Sequence, residues 1–127
     1  MRINKINNNP NFQAGNVLLK NIPEKSIPNY DVFKKIAENK GIDLLISKNK
    51  DKSYLKNEKL YYIVASKDIC LDESNTVKIP KDAVIGQDCV LISNSLDKGN
   101  AAVKLYNMVM MAIERFEKNL KKQAVEV

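Results

Sequence analysis

The chain has 127 residues, 44% hydrophobic and 28% charged, with a formal charge of +6, which fits one globular domain and excludes a chain disordered throughout. It contains neither His nor Trp, so Ser-His-Asp and Cys-His relays, His-containing zinc sites and a histidine pH switch are all excluded. Of the 21 basic residues only Arg2 and Arg115 are Arg, and the excess of Lys, Asn and Ile also matches A/T-rich codon usage, so charge alone does not identify a polyanionic partner.

Residues 1–15 read as a flexible Asn-rich arm. Asn4, Asn7, Asn8, Asn9 and Asn11 favour turns, Pro10 breaks regularity, and Phe12 is the aromatic available to anchor it. The arm has no apolar stretch of the signal-peptide type, and near the C-terminus the longest unbroken apolar run is residues 108–113, far short of the roughly 20 a membrane span needs. The expectation is a soluble cytoplasmic protein in which Cys70 and Cys89 are free thiols, Cys89 being buried in its apolar run.

Residues 17–22 read as a strand stopped by Pro23, followed by a loop over 23–29. A helix follows: Asn29 suits its cap, Asp31 its first turn, and Val32, Phe33, Ile36 and Ala37 form one apolar stripe, with Lys34, Lys35, Glu38 and Asn39 outward. Gly41 suits a left-handed stop with Ile42 closing over it. Residues 42–47 read as a strand and 48–57 as a polar loop. The continuous apolar run 60–65 reads as a central strand buried on both faces. Residues 68–76 form an acidic loop, 77–79 and 83–92 are strands around a turn at 80–82, and 93–100 lead into a long helix over 100–123. The segment 83–95 resembles a single coil of a hexapeptide-repeat β-helix, but no second coil follows, so it reads as a buried strand with a kink at Gly86. The order is β-α-β-β-β-β-α. This predicts an α+β fold: a single small domain over 16–127 with a mixed or antiparallel sheet of about four to five strands and two helices on one face.

The long helix carries Ala102, Tyr106, Val109, Ile113, Phe116 and Leu120 at 4-3-4-3-4 spacing, an apolar seam of nearly three heptads. At 100° per residue Met111 falls almost opposite that seam, beside Lys104 and Arg115, with Met108 on its shoulder. The leading functional expectation is therefore a non-enzymatic protein-interaction module. It self-associates through this helix by way of Tyr106, Met108, Met111 and Arg115, meeting the acidic 68–97 region of another copy. One alternative is a basic nucleic-acid-binding accessory protein using Lys34, Lys35, Lys48, Lys50, Lys52 and Lys56, with Tyr54 among the last four as a stacking surface; a solvated basic loop explains the same residues. The other is a small-ligand-binding protein or enzyme whose pocket residues lie far apart in sequence. No cofactor, metal or catalytic constellation is readable. The four glycines are isolated, and Asp68, Cys70, Asp72 and Glu73 supply too few ligands for zinc or calcium.

Overall fold

The computed structural model describes residues 15–48, 57–74 and 76–126, with side chains as far as Gln123. Strand β1 (Val17–Lys20) ends where Asn21 turns left-handed at φ 64° and Pro23 follows, and a 3-10 turn (Glu24–Ser26) leads to α1 (Tyr30–Lys40). One turn apart on α1, Phe33 and Ala37 are buried. The helix stops as expected. Gly41 sits at φ 63°, its N–H donates to the Glu38 carbonyl at 3.3 Å, and the Ile42 N–H donates to that of Ala37 at 3.1 Å, the two bonds of a Schellman motif. Its start differs from expectation. The Asn29 side chain makes no cap; its Nδ2 donates to the Ala102 carbonyl at 3.1 Å, so a tertiary bond to the second helix replaces the local one.

β2 (Asp43–Lys48) lies parallel to β1, and α1 makes the crossover between them. β3 (Glu58–Ser66) runs antiparallel to β2. β4 (Cys70–Leu71) and β5 (Val77–Lys78) pair only with each other, and β6 (Ile85–Ser93) returns antiparallel to β3. The main sheet is therefore mixed, in the order β1-β2-β3-β6. β4 and its hairpin replace the expected acidic loop. Asp72 is its turn-former, accepting the Ser74 and Thr76 N–H groups at 2.9 and 2.8 Å, and these bonds hold its carboxyl below the usual range.

α2 (Lys98–Glu126) begins two residues earlier than expected because Asp97 caps it: one carboxylate oxygen accepts the Asn100 N–H at 3.2 Å and the other accepts Asn100 Nδ2 at 2.7 Å. Its buried face runs through Leu105, Val109, Ala112, Ile113 and Phe116. Leu105 takes the place expected of Tyr106, which is 38% exposed; the seam is rotated by one residue at that end. Phe33 and Ala37 of α1, this face of α2, and Leu44, Ile46, Ile63, Ala65 and Ile92 from the strands form one cluster, so both helices cover the same face of the sheet. Gly86 sets the contact between the layers. A Cβ there would overlap the Ala112 carbonyl oxygen and the Phe116 nitrogen, so only glycine lets the α2 backbone lie directly on β6.

Candidate functional site

Strand alternation gives the sheet a second face, which no described helix covers. Leu60, Tyr62 and Val64 point there from β3, and the register places Leu91 beside Leu60, Cys89 beside Tyr62 and Leu45 beside Val64. Tyr62 is 43% and Leu91 42% exposed. The run 60–65 is thus buried on one face; its other face is open around Tyr62 and half-buried at Leu60 and Val64, while Leu45, Asp43 and Ser66 farther along that face are buried. Cys89 is exposed rather than buried, because its odd position turns it outward beside Tyr62. Cys70 is buried, which together with Asp68 and Asp72 raises its thiol pKa; neither cysteine forms a disulfide.

The helix residues expected at an interface occupy different surroundings. Tyr106 and Met111 (36% exposed) are five positions apart, which turns them about 140° from each other. Met108 is half-buried against the core. Arg115 reaches over the free edge of β6, donating through Nη1 to the Gln87 carbonyl at 2.9 Å and pairing with Asp88 at 3.2 Å. Asn119 Nδ2 donates to the Ile85 carbonyl at 2.9 Å and Lys104 Nζ to that of Leu91 at 3.5 Å. Polar side chains of α2 therefore occupy backbone acceptors that an added strand would use.

Among the lysines proposed for nucleic acid, Lys34 and Lys35 lie on the exposed side of α1. Lys48 ends β2, where its carbonyl accepts Asn21 Nδ2 at 3.4 Å. Lys50, Lys52 and Lys56, together with Tyr54, lie outside the described residues, as do Phe12 and the arm through residue 14.

A cleft of about 450 Å³ opens at the end of the core where β3 begins, β6 ends and α2 starts. Lys25, Lys59 and Lys98 converge on it from three segments, no Asp or Glu lines it, and none of the three lysines has an ion-pair partner among the described residues. Its floor includes Tyr61, Ile92 and Leu105, all nearly fully buried. A larger depression, about 620 Å³, is lined by the single stretch 23–32 and mixes Glu24 and Asp31 with Lys25, so it is the surface of one loop rather than a meeting of elements. The cleft has no signature in the sequence. Lys25, Lys59 and Lys98 lie in three separate segments, and only the fold brings them together.

Among the described residues no three metal-ligating side chains converge, and no helix is long and apolar enough to cross a membrane. No family model, curated protein or solved structure matches this chain.

Proposed function

We propose that this chain is a non-enzymatic interaction module that self-associates by burying the open face of its sheet against a second copy. The observation that carries the proposal is the contiguous apolar patch of Leu60, Tyr62 and Leu91 on strands β3 and β6. Solvent-facing positions of an antiparallel pair are normally polar, so these residues suit a covered surface. Charge favours a like partner. Lys20 and Glu58 are the exposed charges at outward strand positions; they cancel, and a second copy brings the opposite sign to each. Tyr106 and Met111 turn too far apart to meet one partner together, so the sheet is the better surface and α2 the support behind it. Two unpaired thiols, one at the surface, fit a cytoplasmic setting.

Four strands about 4.8 Å apart and up to about 30 Å long give at most roughly 500 Å² of flat footprint, and Asp43, Leu45 and Ser66 on this face are already buried, so the open part falls well below the roughly 800 Å² per partner of a standard interface. The dimer should therefore be of micromolar rather than nanomolar affinity. Sedimentation equilibrium from about 5 µM to about 1 mM tests this. Tyr62→Lys or Leu91→Lys should leave a folded monomer, while Tyr106→Lys and Met111→Lys should still dimerise. A wild-type chain that stays monomeric throughout the range rejects self-association. A dimer lost only in the helix variants rejects the sheet face.

A further inference from the structure

We infer that the cleft between the starts of β3 and α2 and the end of β6 binds a small organic anion carrying at least two negative charges and an apolar body. It lies on the helix-covered side of the sheet, so this inference is independent of self-association.

Three observations converge. The first is charge. Lys25, Lys59 and Lys98 come from three separate segments, are exposed at their ends, and have neither ion pairs nor a lining carboxylate to neutralise them. Compact ammonium groups gathered around one concavity favour a phosphate- or carboxylate-bearing ligand. The second is the floor. Ile92 and Leu105 present apolar surface beneath the lysines, so a bare inorganic ion would leave that surface in water while a ligand with an apolar body would cover it.

The third is Tyr61, which is 7% exposed and lines the cleft, yet its hydroxyl makes no hydrogen bond among the described residues. The ring is buried while the hydroxyl itself is not enclosed, so it meets the open cleft and is available to a ligand. Burial also holds the phenol above its ordinary pKa, so at neutral pH it keeps its proton and can donate to an anion. The volume, about 450 Å³, lies in the range of pockets for small organic ligands. The lysines surround one cavity rather than following a track, which suits a small molecule better than a polymer backbone.

The test is an amide chemical-shift titration of the full chain at low ionic strength with adenosine diphosphate, inorganic pyrophosphate and adenosine, each to about 5 mM. Adenosine diphosphate joins charge to an aromatic body, and the other two probes separate these features. It should shift amides of residues 59–61, 92–98 and 101–105, with pyrophosphate and adenosine each at least about tenfold weaker. Replacing Lys25, Lys59 and Lys98 together by Gln should weaken binding by about tenfold or more. These side chains are exposed, and the same spectra report whether the fold survives. Tyr61→Phe should weaken binding about threefold without lowering the melting temperature, because its hydroxyl has no internal partner to lose. Absence of a localised response to adenosine diphosphate overturns the inference. So does equal affinity for pyrophosphate, indifference to the triple substitution, or a lower melting temperature in Tyr61→Phe. A single-stranded oligonucleotide that binds the same lysines more tightly than adenosine diphosphate would assign them to nucleic acid and also overturn it.

Discussion

On one face of the sheet Leu44, Ile46, Ile63 and Ala65 are fully buried beneath two helices; on the other, one residue along the same strand, Tyr62 is largely exposed and has Cys89 and Leu91 nearby. Both faces of β3 are apolar, and their difference lies in what covers them. Apolar alternation or its absence describes the strand, whereas burial depends on the neighbouring layer. The inner face meets a helix whose backbone descends to contact at Gly86. The outer face meets no described helix, which is why the burial of residues 60–65 was only half realised within one chain.

The largest effects should come from breaking the inner face. Phe116→Ala empties a site that is almost completely buried and should cost about 3–5 kcal/mol in urea unfolding. Gly86→Ala inserts a Cβ against the α2 backbone, which cannot move aside as a side-chain tip can, and should cost about 3 kcal/mol. Tyr62→Ser on the outer face, measured in dilute protein, should cost less than about 1 kcal/mol. If it costs as much as Phe116→Ala, the outer face is covered within the monomer and the contrast between faces disappears.

The inner face was also the more legible one. Phe33 and Ala37, Gly41 with Ile42, and Val109, Ile113 and Phe116 all act through spacings within one segment, which sequence periodicity records. The misreadings have tertiary causes. Asn29 abandons its cap for Ala102, and Leu105 displaces Tyr106 once α2 seats on β6 at Gly86. β4 is two residues long and pairs only with β5, too little pattern to separate from an acidic loop. The cleft left no trace in sequence because Lys25, Lys59 and Lys98 share no segment. Gly86 gave a partial signal: the glycine marked an exception in the strand, and the structure explains it by close helix contact rather than by a kink alone.

The edge of β6 offers a smaller test of how the two faces are kept apart. Arg115 pairs with Asp88, an inward position of β6, and covers the Gln87 carbonyl. The pair is partly exposed, so Arg115→Ala should cost only about 0.5–1 kcal/mol. It should also bring forward the onset of aggregation on heating, since it uncovers a ladder acceptor at a free edge. Unchanged aggregation with the expected small loss of stability would show that Asn119 and Lys104 suffice to protect that edge.

The smallest effect concerns Asp43, a buried carboxyl on the outer side of β2 whose Oδ1 accepts the Gly15 and Asn16 N–H groups, both at 3.1 Å. Desolvation raises its pKa above 3.8 despite these bonds, with a further upward contribution from the charge of Asp68. The folded chain therefore holds this proton more tightly than the unfolded chain. The resulting stabilisation is complete below the unfolded value and is lost as pH rises through the raised folded one. Asp72 and Asp97 act in the opposite sense: their lowered values give stability above 3.8 that is lost on further acidification. Comparing melting temperatures of the wild type and Asp43→Asn from about pH 4 to about pH 7 cancels those two groups and isolates Asp43. Asparagine keeps the acceptor oxygen without the buried charge, so the variant should gain on the wild type as pH rises. If the wild type instead gains, the Gly15 and Asn16 bonds outweigh the cost of burying the charge, and this outward position is stabilised by its ionised form.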